Sequence, residues 1–242
     1  MSTYDVKLIG RREIADGTME FHFSRPEGFA FKAGQAIEVL LPGPVGGHAF
    51  SLVNAPVEGG LVIATRMRDS AYKRALRALP DGSAVKVDGP FGSLTLHRNP
   101  ARAAVFIAGG IGITPFMSML RQSARDGMPH RIVLVYSNRR PQDSAFLEEL
   151  QAIRRANANF SLVTTMTEAG GSLVDEVMIA QATKGLPAPI FYVAGPPGMV
   201  EAMRVTLDKA GVEDTDIRSE EFFGYETAPA ALKDEAHRAE PA

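Results

Sequence analysis

The segment AVFIAGGIGITPFMSML, residues 104–120, carries an unbroken apolar run into a glycine-rich turn and out into a helical stripe. Ala103 to Ala108 lacks polar alternation, the pattern of a strand covered on both faces of a parallel sheet. Ile113, Phe116, Met117 and Leu120 then follow i, i+3, i+4, i+7 spacing. Gly109, Gly110 and Gly112 stand between the two. Thr114 is expected as the N-cap and Pro115 as the first helical residue, where a missing N–H leaves nothing unpaired. Glycines let a backbone approach a ligand closely, and a helix N-terminus offers N–H donors with partial positive charge. A dinucleotide pyrophosphate suits that arrangement. The spacing is not G-x-G-x-x-G, so the expectation rests on the strand–turn–helix context.

Working toward the C-terminus, Ile132 to Tyr136, Phe160 to Thr164 and Ile190 to Ala194 are further apolar runs. Helical stretches separate them. Phe146, Leu150 and Ile153 form one stripe, Ser172-x-x-Asp175 is expected to open a third helix as a capping box, and Met199, Met203 and Leu207 form a fourth. Alternating β and α elements predict an open, doubly wound parallel sheet. Its second Gly/Pro turn, Gly195-Pro196-Pro197-Gly198, falls at a strand's carboxyl end, where such sheets bind ligands. The second strand ends in VYSNRR, residues 135–140. Ser137, Asn138, Arg139 and Arg140 supply donors and positive charge there and no carboxylate. That favours NADPH, with its 2′-phosphate, over NADH.

Working toward the N-terminus, the period changes to two. Met19, Phe21 and Phe23 alternate with Glu20, His22 and Ser24, and Ile37/Val39/Leu41, Leu61/Ile63 and Val85/Val87 repeat the pattern. Such segments between Gly/Pro turns predict antiparallel strands with one wet face, closing into a small β-barrel. A helix is expected over Ser70 to Leu79. Residues 1–98 thus form a β-barrel domain and 102–225 an α/β domain, joined by HRNPAR at 97–102. Residues 226–242 have almost no large apolar side chains and are expected to be a mobile tail.

Composition narrows the chemistry. The 242 residues contain no cysteine, which excludes disulfides, thiolate metal sites, a catalytic Cys and a Cys-ligated iron–sulfur cluster. His22, His48, His97, His130 and His237 show no metal-ligand spacing, so no metal site is expected. With 26 Lys+Arg against 28 Asp+Glu, no global field recruits nucleic acid or an anionic membrane. No run approaches the ~18 apolar residues of a membrane helix, and the N-terminus lacks a signal-peptide pattern, so a cytoplasmic location is expected.

Three N-terminal segments complete the picture: HAFS at 48–51, RMRDSAYKRAL at 66–76 and GPFG, a rigid turn, at 89–92. In order, and together with GGIGITPF (109–116) and AGPPGM (194–199), they resemble the ferredoxin–NADP⁺ reductase superfamily of flavoproteins over residues 4–225. HAFS stands where that family has R-x-Y-[ST]. The resemblance implies that Phe50 packs on the flavin ring, Ser51 bonds near its hydride-accepting nitrogen, and His48 replaces an arginine that pairs with phosphate. His48 and Ala49 thus belong to the flavin motif, and Arg66 or Lys73 is left to compensate for the lost charge. Backbone N–H groups around Ser70, Ala71 and Tyr72 would hold the pyrophosphate, which favours FAD over FMN. AGPPGM, with Ala194 in place of the usual cysteine, implies nicotinamide contacts from Gly195, Pro196, Pro197 and Met199. SEEFFGY, 219–225, resembles the closing strand, with Glu221, Phe222 or Tyr225 as the acidic and aromatic partners of the flavin.

The implied function is an NAD(P)H-dependent flavoprotein reductase that passes hydride to FAD and single electrons to a separate acceptor such as ferredoxin or flavodoxin. The alternatives are a reductase dedicated to one oxygenase system and a non-catalytic flavin or nucleotide sensor.

Overall fold

The computed structural model describes residues 2–223. Tyr225 and the 226–242 segment lie outside the described residues. The N-terminal unit is a six-stranded antiparallel sheet: β1 (Ser2–Ala15), β2 (Thr18–Phe23), β3 (Ala36–Leu40), β4 (Gly47–Ser51), β5 (Leu61–Arg66) and β6 (Ala84–Phe91). Their order is β4-β3-β6-β1-β2-β5, and the two edges meet at the Leu52–Ile63 bridge. The sheet curls like a barrel, although its ladder does not continue across that seam. The period-two residues fill the inside: Phe21, Phe23, Ile37, Val39, Ile63, Val85 and Val87 are all buried. Helix α1 (Ala71–Ala78) plugs one side with Tyr72 and Leu76, and Ser70 caps it by accepting the Lys73 N–H at 3.2 Å. GPFG is not a separate turn: its first three residues end β6.

The C-terminal unit alternates β7 (Ala104–Gly109), α2 (Thr114–Arg125), β8 (Ile132–Asn138), α3 (Leu147–Ala156), β9 (Phe160–Met166), α4 (Glu176–Thr183), β10 (Ile190–Gly195), α5 (Pro197–Lys209) and β11 (Ile217–Glu221). All pairings are parallel, in the order β11-β10-β7-β8-β9. One face packs Phe106, Leu134 and Tyr192 under α2 and α3; the other packs Ile107, Val135 and Val193 under α4 and α5. Winding therefore reverses between β7 and β10, the doubly wound arrangement expected from the alternation.

Two local expectations are corrected. Helix α4 is capped by Asp175, whose carboxylate accepts the Met178 N–H at 2.8 Å; the Ser172 carbonyl instead accepts a bond from Thr165 Oγ1. A 3₁₀ turn, Gly110–Ile113, precedes α2, so Thr114 is already helical and its hydroxyl donates to the Ile111 carbonyl at 3.1 Å. That turn leaves no extended residue for Thr114 to cap from.

The wet face expected for β2 and β5 is dry where the units meet. Val62 and Ala64 are buried with Met117 and Leu120 of α2 in one apolar cluster. Glu20, paired across the ladder with Ala64, is also buried, its carboxylate taking Arg12 Nε at 3.1 Å and facing His22. Polar ties reinforce this seam. Ser118 Oγ donates to the Asn54 carbonyl at 2.7 Å, and Arg121 joins the Val53 carbonyl at 3.2 Å to Glu149 at 2.7 Å. The 97–102 segment is tied down as well, by the Tyr192 hydroxyl on His97 and by a two-bond Arg102–Asp216 pair.

Candidate functional site

The winding reversal places the turn after β7 beside the turn after β10. Their glycines serve two different purposes. A Cβ on Gly112 would lie 2.2 Å from the Ala194 carbonyl oxygen, and one on Gly109 would lie 2.2 Å from Met199 Sδ. These two glycines let the turns pack on each other. Gly110 differs: its φ is +54°, and nothing stands within 4 Å of a Cβ built there. It is the glycine that faces open space, in a backbone conformation that other residues avoid. Helix α5 begins at Pro197, which has no N–H, and its Met199 and Val200 N–H groups both donate to the Pro196 carbonyl, at 2.9 and 3.1 Å. Gly198, between Pro197 and Met199, lines the crevice, and the partial positive charge of this helix start lies beside that of the 3₁₀ turn.

Across the crevice stand the ends of β4 and β5 and the start of α1. Phe50 and Ser51 are buried, and Ser51 Oγ has no hydrogen-bond partner among the described residues. A buried hydroxyl without a partner is costly, so a polar group brought by a ligand is its natural complement. Lys73 is buried too. Its ammonium bonds to Thr65 Oγ1 and lies 4.5 Å from the centroid of the Phe50 ring. Burial, assisted by the nearby Arg68 charge, pulls its pKa down to about 7. His48 sits edge-on to Tyr72 at 4.0 Å, and burial followed by the Lys73 charge holds its pKa below the usual imidazole value. Tyr72 turns inward and donates its hydroxyl proton to the Val39 carbonyl at 2.7 Å.

Between these walls runs one cleft of about 1090 Å³. From the barrel side it gathers the expected Ala49, Phe50, Ser51, Arg66, Ser70 and Lys73. From the sheet side it gathers Gly109, Gly110, Thr114, Ser137, Arg139 and Pro196, then Met199 and Phe222. None of the expected His48, Ala71, Tyr72, Gly112, Pro115, Gly195 and Pro197 lines the cleft: Tyr72, Gly112, Pro115 and Gly195 are buried in the packing around it, Ala71 is exposed, and His48 and Pro197 are half-buried.

Two expectations about charge are also corrected. Arg140 does not reach the cleft: its Nη2 lies 2.7 Å from Asp143 and 2.9 Å from Asp16, and these carboxylates raise its pKa. Asp143, held below the usual carboxylate range first by the Arg140 hydrogen bond, also takes Arg66 at 3.2 Å. Glu221 is exposed at the end of β11 and does not line the cleft. Its neighbour Glu220 is the inward one: one carboxylate oxygen has no hydrogen-bond partner among the described residues, and burial pushes its pKa up to about 7. Period-two alternation in a short edge strand would have separated the pair only if the covered face were known.

Asn138 of the VYSNRR run and Phe223 of SEEFFGY line the cleft beside Arg139 and Phe222, whereas sequence reasoning missed Thr65, Ile111, Thr167 and Leu173 as lining residues. Thr167 and Leu173 come from the β9–α4 connection, where no motif offered a signal.

Comparison with known proteins agrees with this geometry. Residues 106–205 match the family model of an oxidoreductase NAD-binding domain. The chain is 28% identical over 219 residues to ferredoxin–NADP reductase B of Sorangium cellulosum (strain So ce56), covering 83% of this chain and 89% of that protein. It is 26% identical over 220 residues to the reductase component of propane 2-monooxygenase from Rhodococcus jostii (strain RHA1), covering 85% of this chain but 58% of that one. It spans about three-fifths of the oxygenase reductase components it matches. A crystal structure of a ferredoxin NADP⁺ reductase from Neisseria gonorrhoeae with bound FAD and NADP superposes with a TM-score of 0.81 at 25% identity, covering 91% of this chain and 99% of that one. The shared motifs, the paired barrel and doubly wound sheet, and a crevice at their seam agree: in sequence and in fold the chain is similar to proteins of the ferredoxin–NADP⁺ reductase superfamily.

Proposed function

We propose that this protein is an NAD(P)H-dependent flavoprotein reductase that moves electrons from a nicotinamide nucleotide through FAD to a separate acceptor. The single observation that carries the reading is the continuous cleft in which Phe50, Ser51 and Lys73 face the turns after β7 and β10. In this reading residues 1–98 hold the flavin and 102–225 the nicotinamide nucleotide. The residues present fit a flavin. Ser51 Oγ is a buried hydroxyl with no partner among the described residues, Gly110 leaves open space beside a helix start, and the α1 N-terminus adds backbone donors.

A bound FAD supplies the capacity to accept a hydride and release its two electrons singly. The chain's own groups orient and tune. Phe50 offers a flat apolar wall, and Ser51 donates a hydrogen bond from within it. Lys73 and Arg66 bring cationic charge to the barrel side, in place of the arginine that His48 replaces. Phe222, packed against the apolar cluster of the sheet, closes the opposite wall and excludes water. Arg139, which lines the cleft just after β8, would serve the ribose end of the nucleotide.

The acceptor class follows the relatives: a ferredoxin, a flavodoxin or an oxygenase component. The matches to oxygenase reductase components favour, as a second reading, a reductase serving one oxygenase system. Among the described residues no helix is long and apolar enough to cross a membrane. Because NAD(P)H is an intracellular donor, the working location proposed is the cytoplasm. Anaerobic stopped-flow mixing of the purified chain with NADH and with NADPH tests the whole reading. Rapid bleaching of flavin absorbance is expected. A yellow protein that does not bleach would make it a sensor, and a colourless one that takes up no flavin would refute the function.

A further inference from the structure

The VYSNRR loop carries two arginines in a place where arginine accommodates a 2′-phosphate. The fold spends that charge elsewhere. Arg140 Nε and Nη2 bond to Asp143 at 3.1 and 2.7 Å, and Nη2 reaches Asp16 of the barrel at 2.9 Å. Arg139 stays at the cleft, half-exposed, with its Nε 3.9 Å from Asp143 and 3.9 Å from Glu168. Glu168 is held there by the backbone: its N–H donates to the Arg139 carbonyl at 2.8 Å, and the Thr167 N–H donates to the Asn138 carbonyl at 3.0 Å. Thr167 itself lines the cleft. Counting Arg66, which also pairs with Asp143, the cluster sets Arg66, Arg139 and Arg140 against Asp16, Asp143 and Glu168. Positive and negative charges balance.

Resting on the function proposed above, we infer that Asp143 and Glu168 determine nucleotide choice: they neutralise the Arg139–Arg140 loop, so that the chain accepts NADH at least as readily as NADPH. A 2′-phosphate brings negative charge toward Arg139 and meets Glu168, an accessible carboxylate already at that guanidinium. A free 2′-hydroxyl meets no such repulsion, and carboxylates at this part of the fold are suitable acceptors for it. The other cations of the cleft, Arg68 and Lys73, stand on the barrel wall. Removing a carboxylate should therefore release Arg139 for phosphate without creating a new contact.

The test uses the full flavin-loaded chain and two readouts: kcat/KM for NADPH relative to NADH, and calorimetric affinity for 2′,5′-ADP relative to 5′-AMP. In the wild type, both ratios should fall at or below about three. Glu168→Gln, at a half-exposed position that leaves the inter-unit pairs intact, should raise both ratios by about fivefold or more. Asp143→Asn should move them in the same direction, and Arg139→Ala should lower them. A wild type favouring the phosphorylated forms by more than about threefold overturns the inference, as do ratios that move by less than about twofold in both carboxylate variants. A chain that binds the two half-nucleotides yet bleaches with neither coenzyme refutes the proposed reaction, and the specificity inference is then decided by the binding ratio alone.

Discussion

Adding one methyl group to Gly112 and, separately, to Gly110 distinguishes the two purposes assigned to the glycine turn. In Gly112→Ala the new carbon would lie 2.2 Å from the Ala194 carbonyl oxygen and 2.8 Å from the Gly195 nitrogen. Both are backbone atoms in the centre of the sheet, so no side chain can swing aside. The turns after β7 and β10 must part by roughly 1 Å, and overpacking of this kind typically costs ~1–3 kcal/mol. The rigid obstacle argues for the upper end. In a chain of this size ~3 kcal/mol lowers Tm by roughly 6–12 °C. Gly110→Ala meets no neighbour within 4 Å but must hold a φ of +54°. That costs about 1 kcal/mol, or roughly 2–4 °C. Its methyl projects into open space at the cleft, so nucleotide KM should rise at least about tenfold despite the smaller stability loss. Thermal unfolding followed by circular dichroism, paired with steady-state kinetics, measures both. A Gly112→Ala protein that melts within 2 °C of wild type, or a Gly110→Ala protein with unchanged KM, would refute the assignment.

Three further predictions follow from the same site and seam. Ser51→Ala removes a buried hydroxyl that has no partner among the described residues, so the flavin-free fold should keep its stability while flavin reduction slows by about tenfold or more; rapid mixing on flavin-loaded protein measures the rate. Lys73 has its pKa lowered from 10.5 to about 7, chiefly by burial, so the unfolded chain binds more protons between those values and stability rises with pH across that window. Lys73→Met should abolish that rise and stabilise the flavin-free protein at pH 7 by about 2 kcal/mol, read from urea unfolding at pH 7 and pH 9.5. Arg121→Ala strips a half-buried guanidinium from Glu149 and from the Val53 carbonyl, and should cost about 1–3 kcal/mol, with chemical denaturation as the check.

Local order in the chain was enough to establish most of the fold. A period of two up to β6 and continuous apolar runs from β7 onward specify an antiparallel and a parallel sheet, because each pattern reports how many faces of a strand are covered. The Gly/Pro turns fall at strand ends for steric reasons that need no distant neighbour, and Ser70 caps its helix through a residue three positions away. Those features single out Phe50, Ser51, Lys73, Gly110 and Pro196, which line one cleft.

Other properties depend on what packs against a residue from far along the chain. Val62, Ala64 and Glu20 lie on a face that alternation marks as wet, and they are dry because α2 covers it. Arg139 and Arg140 are adjacent and chemically alike, yet Asp16 and Asp143 draw one away while the other lines the cleft. Glu220 and Glu221 divide in the same way, one half-buried with a carboxylate oxygen turned inward and one exposed. Sequence alone determined the kinds of strand, their turns and the motif chemistry, since these arise from contacts within a few residues. Only the tertiary structure decided which charges were spent on holding the two units together and which remained at the cleft, because Coulomb attraction and desolvation act across space between groups as far apart as Asp16 and Arg140.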